Sequence, residues 1–193
     1  MYLEDGIPIQ PQNKKENTTI FTDVSQNNII EYQHTENEYN DYNAQLLLPH
    51  KLSQFGPSLA VADVNNDGRE DVFVGGAAGF SSKLFMQDAS GRFKTSLLKD
   101  FEFDKLHEDV AAIFFDIDGY EDQDLYAVSG GNTSKKNHLN YQDRIYLNNG
   151  KGSFKKSEKS IENFTTSGSV VIPSDFDNNG DIDLFIGGRH IPH

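Results

Sequence analysis

The sequence has no cysteine and no tryptophan, only two methionines, and few cations: 17 lysines and arginines stand against 30 aspartates and glutamates in 193 residues, a net charge of −13. Without cysteine there is no disulfide, thiolate nucleophile, zinc finger or iron–sulfur cluster, and redox chemistry says nothing about compartment. A surface this acidic repels phosphate backbones and anionic lipid. That argues against nucleic acid and membrane surfaces as partners, and makes divalent cations the natural counter-ions. No apolar run approaches the roughly 18 residues of a membrane span, so no membrane insertion is expected. Residues Met1 to Gln10 lack the basic start and apolar stretch of a signal peptide, so if the protein is exported its signal is expected to lie outside this sequence.

What is present is aromatic bulk and turn chemistry. Fourteen phenylalanines and eight tyrosines supply a core, enough for one domain or a piece of a larger one. The first 19 residues, with Pro8, Pro11, Lys14, Lys15, Glu16 and Asn17, show neither helical nor strand periodicity. They read as a flexible leader (1–19), with the fold expected over 20–193.

From Ser58 onward short β-rich runs recur between Gly, Asn and Asp clusters, and three of them align: Ser58-Leu-Ala-Val-Ala-Asp-Val-Asn-Asn-Asp-Gly, Val110-Ala-Ala-Ile-Phe-Phe-Asp-Ile-Asp-Gly and Ser169-Val-Val-Ile-Pro-Ser-Asp-Phe-Asp-Asn-Asn-Gly. The leading aspartates, Asp63, Asp116 and Asp175, are 53 and 59 residues apart. Each unit runs strand, acidic loop, then a strand ending in a glycine pair (Gly75-Gly76, Gly130-Gly131, Gly187-Gly188). The first two add a third strand (Lys83-Leu-Phe-Met, Arg144-Ile-Tyr-Leu) and a turn followed by Phe93 or Phe154. Four antiparallel strands per roughly 50 to 60 residues is the period of a β-propeller blade. The expected class is therefore all-β, with blades at about 56–108, 109–166 and 167–193. The third unit stops after its second strand and closed propellers typically have 4–8 blades, so a partial propeller, a fragment of two to three blades, is expected. Phe114 and Phe115 are neighbours on one strand and so face opposite sides, which suits sheets packed on both faces.

The loops carry the chemistry. The first reads Asp63-Val-Asn65-Asn-Asp67-Gly68-Arg69-Glu-Asp71, with side-chain oxygens at positions 1, 3, 5 and 9. Alternate residues point inward, position 7 adds its backbone carbonyl, and Gly at position 6 permits the sharp turn; oxygen ligands in this number favour calcium over zinc or copper. The third loop, Asp175-Phe-Asp177-Asn-Asn179-Gly180-Asp181-Ile-Asp183, keeps the register. An EF-hand needs a bidentate acid at position 12, where Val74, Ala127 and Ile186 stand, and strand residues follow position 9 directly, so a β-hairpin calcium loop is expected. The middle loop, Asp116-Ile-Asp118-Gly-Tyr120-Glu121-Asp122-Gln-Asp124, places Tyr120 at position 5 and Glu121 at the glycine position. It is a weaker match, expected to lack one ligand and its turn residue.

These features resemble the FG-GAP and VCBS repeats of integrin-α-like β-propellers, whose blades carry calcium loops between their first two strands. Gln54-Phe55-Gly56-Pro57 resembles the family's Phe-Gly element, and Tyr146-Leu-Asn-Asn-Gly-Lys-Gly-Ser-Phe154 its blade-closing pattern. Phe21-Thr-Asp-Val, Leu48-Pro-His-Lys-Leu-Ser and Gly56 to Asn65 are similar to the start of bacterial propellers that end in an ASPIC/UnbV module. The resemblance implies Ca2+ held by Asp63, Asn65, Asp67, the Arg69 carbonyl and Asp71, and by Asp175, Asp177, Asn179, the Asp181 carbonyl and Asp183. It extends to Asp116, Asp118, Asp122 and Asp124 in the middle loop. It also implies an extracellular, cell-surface or periplasmic location and a scaffold or binding module, not an enzyme. Its partners would be calcium, a protein or glycan ligand and the remaining blades of a parent propeller. The alternative is part of an extracellular enzyme acting on polysaccharide or another polymer, with its catalytic site outside or between the blades.

Three further signals read as ordinary chain. His190 and His193 have no third ligand nearby in sequence, and the sequons at Asn17, Asn132 and Asn163 are frequent by chance in such a composition. The pairs Lys14-Lys15, Lys135-Lys136 and Lys155-Lys156 are expected to be solvated loop or edge charges.

Overall fold

The computed structural model describes residues 20–23, 30–158, 161 and 164–192; the leader expected over 1–19 lies outside them. The described residues form three antiparallel sheets. The first is β1 (Leu59–Ala62), β2 (Asp71–Val74), β3 (Lys83–Gln87) and β4 (Phe93–Ser96), in that order. The second is β5 (Asp109–Phe115), β6 (Asp124–Ser129), β7 (Arg144–Leu147) and β8 (Lys155–Lys156), and the third pairs β9 (Gly168–Ser174) with β10 (Asp183–Gly188). The two four-stranded sheets are meanders, the order expected of a propeller blade, and the third is a hairpin.

The sheets stack face to face, and the strand period of two sorts their residues between two interfaces. Phe114 packs with Ala60, Phe73, Leu84 and Tyr146 between the first and second sheets. Its neighbour Phe115 joins Tyr126, Val128 and Ile145 against Val171, Leu184 and Ile186 of the third. A one-turn helix, α1 (Lys99–Phe103), links the first two sheets; no periodicity announces it. Its one buried side chain, Phe101, lies edge-on to Phe73 (5.5 Å) and Tyr146 (5.0 Å), which caps the first interface.

The glycine pairs after the second strands have a steric cause. A Cβ on Gly75 would lie 2.2 Å from Ser58 Oγ, and one on Gly131 would lie 2.0 Å from Glu108 Oε2. At each of these points the entry to the first strand crosses the exit of the second; at Gly75 the Asp109 backbone also stands within 3.0 Å, and at Gly131 a left-handed φ of 76° favours glycine.

A buried polar seam joins the first two blades. Asp109 accepts from the Arg144 guanidinium, from Ser82 Oγ and from Gly76 N–H (3.0 Å). Arg144 also donates to Tyr146 Oη (3.3 Å), which donates to Asp104 (2.8 Å). Lys156 closes the chain on Asp104 at 2.6 Å, so this lysine on β8 is a tie between elements and not the solvated edge charge its sequence suggests. Burial, then the Arg144 charge, pushes His107 down to about 4, so it is neutral where it sits between Ser129 Oγ (3.3 Å) and Asp104 (4.0 Å). Ser129 is fully buried and takes the Arg144 N–H groups, which makes the three a packing network rather than an activated nucleophile.

Packing begins later than Ile20, which is 95% exposed. Residues 30–57 form a strap over the blades, with Tyr32 edge-on to Phe85 at 5.6 Å. The strap is rooted by fully buried Asp41, which accepts from Leu52 N–H (3.2 Å), Ser53 Oγ (2.6 Å) and Asn132 Nδ2 (2.9 Å).

Removing one member of a buried ion pair leaves an uncompensated charge. Arg144→Met is therefore expected to lower stability by about 3–5 kcal/mol, with Asp109→Asn in the same chain recovering part of it. Urea unfolding checks this, and a loss below about 1 kcal/mol would contradict the assigned seam.

Candidate metal centres in the acidic loops

Each acidic loop closes a hairpin whose register is the same: Ala62 faces Asp71, Phe115 faces Asp124, and Ser174 faces Asp183. Position 9 thus stands opposite the residue just before position 1, which brings both ends of the loop together. The backbone between them enters the left-handed region twice, at positions 4 and 6: Asn66 (φ 59°) and Gly68 (82°), Asn178 (59°) and Gly180 (96°). In the middle loop the pair is Gly119 (81°) and Glu121 (61°). The expected loss of the turn residue is therefore not a loss of the turn. The glycine has moved to position 4, and Glu121 adopts at position 6 the conformation that glycine holds elsewhere, at a cost of about 1–2 kcal/mol.

Backbone N–H groups gather the side-chain oxygens inward. Asp63 accepts from Asp67 (3.1 Å) and Gly68 (2.7 Å), Asp175 from Asn179 and Gly180 (both 3.1 Å), and Asp116 from Gly119 (2.8 Å) and Glu121 (3.0 Å). Position 3 takes the N–H of position 5 in all three, through Asn65 (3.0 Å), Asp118 (3.3 Å) and Asp177 (3.2 Å). Position 9 takes the N–H of position 2: Val64 on Asp71 (3.3 Å), Ile117 on Asp124 (2.9 Å) and Phe176 on Asp183 (3.0 Å). The second oxygen of Asp71 and of Asp124 holds the end of the third strand, through Gln87 N–H and Asn148 N–H, each at 2.7 Å. Asp71 and Asp124 are fully buried, whereas Asp183, in the two-stranded sheet, is exposed.

Among the described residues two carboxylate trios converge. Asp116, Asp118 and Asp124 bring one oxygen each within 4.8 Å of one another, and so do Asp175, Asp177 and Asp183. The first loop is arranged differently. Asp67 accepts Arg69 N–H (3.0 Å) on one oxygen and the Arg69 guanidinium on the other, while Arg69 Nε reaches Gln87 O (3.2 Å). The loop that reads best in sequence thus has its position-5 carboxylate engaged by an arginine, and the loop that departs furthest has a closed trio. Tyr120 turns its ring outward, 80% exposed, and leaves position 5 without a side-chain oxygen. Asp122, at position 7, is buried with Oδ1 unpartnered; burial, then Asp118 and Asp116, raises its carboxyl. Asn179 and Asp181 lie at the exposed tip of the third loop, Asn179 accepting Asp181 N–H at 2.7 Å.

The electrostatics follow from this packing. Burial raises Asp71 and Asp124 against their N–H donors, and neighbouring loop carboxylates push the same way. At Asp63 burial also acts upward, but the N–H groups of Gly68, Asp67, Asn65 and Asn66 outweigh it and hold the carboxyl below its ordinary value. Three oxygens of like charge this close repel unless a proton or cation lies among them, and an all-oxygen set suits a hard divalent ion.

One residue outside the loops connects them. Asn148 Nδ2 donates to Val64 O in the first loop (2.7 Å) and to Gln123 O in the second (3.1 Å), and Gly152 N–H also reaches Val64 O (2.9 Å). Sequence reading marked this stretch only as a blade-closing turn. Between the second and third loops lies instead an open cavity of about 550 Å³, walled by Asp116, Asp118, Gly180 and Asp181.

Comparison with known families matches residues 55–87 to the FG-GAP repeat and residues 116–186 to the FG-GAP-like repeat. The first match runs from Phe55 through β3; the second begins at position 1 of the middle loop and ends in β10. A search of curated proteins gave no match.

With divalent ions chelated, Asp124→Ala leaves two backbone donors without acceptors, whereas Asp183→Ala removes one exposed bond. The first is expected to lower stability by about 1–3 kcal/mol more than the second. Equal losses in urea unfolding would contradict the role given to position 9.

Proposed function

The chain belongs to the FG-GAP repeat proteins, and on that premise we propose that it is a calcium-stabilised β-propeller segment acting as a scaffold or ligand-binding module. The observation that carries this reading is the convergence of Asp116, Asp118 and Asp124, and of Asp175, Asp177 and Asp183, at hairpins of one register. In the second trio Asn179 adds a side-chain oxygen at position 5, and Asp181 offers its carbonyl. In the first loop Asp67 joins Asp63, Asn65, the Arg69 carbonyl and Asp71 once its carboxylate leaves Arg69.

The chemistry is coordination without turnover. A calcium ion neutralises the trio and ties position 1 to position 9 across the mouth of the hairpin, so occupancy adds to folding free energy. The residues themselves set the geometry: the left-handed positions curl the loop, and the third strand holds position 9.

The propeller setting is supported by an uncovered sheet face. Ile172 and Phe185 of the third sheet are 53% and 65% exposed, although they stand where Ala60 and Phe73 are buried in the first. We take this face as the seat of a further blade. The proposal includes a location outside the cytoplasm, at the cell surface or in the periplasm, and the occurrence of FG-GAP repeats in extracellular and cell-surface proteins supports it. Among the described residues no helix is long and apolar enough to cross a membrane.

A thermal melt in millimolar calcium, in excess chelator and in magnesium tests the reading. Calcium is expected to raise the melting temperature by several degrees, with magnesium far less effective. The shift is also expected to be larger at pH 7 than at pH 5. Protonation of Asp71 and Asp124, whose folded carboxyls are raised, stabilises the metal-free chain fully below about pH 4 and is lost as pH rises through the folded values. Calcium binds the ionised form that remains. Identical melts in calcium and chelator at pH 7 would overturn the proposal.

A further inference from the structure

At the other end of the inner strands from the acidic loops, a second set of oxygens is buried without partners. Glu108 precedes β5, whose seven residues separate it from the Asp116 loop by roughly 20 Å. Its carbonyl accepts Gly130 N–H at 2.9 Å just as that of Ser58 accepts Gly75 N–H at 2.9 Å, so the two occupy the same place in successive blades. Where the first blade carries a hydroxyl, the second carries a carboxylate that is 2% exposed. Oε1 of Glu108 faces Phe55 N–H at 3.5 Å, while Oε2 has no partner among the described residues and lies over Gly131, where no Cβ blocks it.

Two more acceptors flank the same Phe55-Gly56 segment. Glu36 gives Oε1 to His34 Nε2 (2.8 Å) beside Gly56 and keeps Oε2 buried and unpaired. Asn37 is next in the chain and tied through its carbonyl to Gln54 Nε2 (3.4 Å); its Oδ1 is likewise buried and unpaired. Burial first, against the Phe55 N–H, and then the charges of Glu36, Asp41 and Asp109 push Glu108 up to about 8. The neighbouring Asp109 has Arg144 to balance it, but no ion pair forms with Glu108 among the described residues, and Arg189 is stacked on the Phe55 ring at 4.4 Å. Buried acceptors with no donor turned toward them are expensive unless a positive charge joins them.

We propose that Glu108, Glu36 and Asn37 hold a hard metal cation beneath the Phe55-Gly56 segment. The site is separate from the acidic loops and fastens the strap to the second blade. Its ligands are all oxygens, two of them carboxylate, which selects calcium or a similar ion over a soft metal.

Equilibrium dialysis against calcium at pH 7.5 tests this with the whole chain, Glu108→Gln, Glu36→Gln and a loop variant, Asp116→Asn with Asp118→Asn. Each glutamine variant is expected to bind one calcium fewer than the parent, whatever the loop variant does, so failure of the loops and failure of this site are separately visible. If Glu108→Gln does not fold, Glu36→Gln carries the test. Unchanged stoichiometry in the glutamine variants overturns the proposal. So does a melt whose pH dependence between about 6 and 8 is flattened by Glu108→Gln with no ion lost, since that outcome assigns a proton shared between the carboxyls.

Discussion

A β-sheet whose strands are apolar on both faces is unstable in water until something covers each side, and that requirement organises this molecule. Phe114 and Phe115 make it concrete, because adjacent residues on β5 are committed to different interfaces. The second sheet satisfies the requirement by lying between the first and third. The first sheet satisfies it partly through the strap, with Tyr32 on Phe85, and the third leaves Ile172 and Phe185 in solvent. The buried seam of Asp109 and Arg144 and the glycine pairs are consequences of the same stacking: sheets this close must pair their polar groups and thin their crossings.

The repeat was legible because its units are local. Period-two runs, turn residues and a nine-residue acidic loop all lie within a few tens of residues, so strand order and loop placement could be read directly. What escaped depends on distant pairings. Asp41 lies outside every repeat yet is fully buried through Asn132, 91 residues away. Helix α1 is too short for a periodic signal and is held by distant partners, Phe101 in the core and Asp100 on the Lys156 N–H. Glu108 reads in sequence as one more acidic surface residue, because nothing local reveals that β5, Gly131 and Phe55 close around it.

The loops show a similar division. Which oxygens belong to each loop was visible, but which of them converge was not, because convergence depends on competition. In the first loop an arginine two residues on captures Asp67, a choice that spacing alone does not disclose. In the middle loop Tyr120 removes a donor without disturbing Asp116, Asp118 and Asp124, since those three are positioned by backbone N–H groups and by the third strand rather than by position 5.

The left-handed pair at positions 4 and 6 carries a consequence for how such repeats diversify. The three loops fill the pair with Asn-Gly, Gly-Glu and Asn-Gly while keeping one backbone path. Glycine is therefore interchangeable between two sites, and the hairpin tolerates a bulky charged residue at the apex when its partner site relaxes. A repeat of this kind can drift away from its consensus spelling, exchanging glycine and changing the side chains offered to solvent, while its inward oxygens stay where they were.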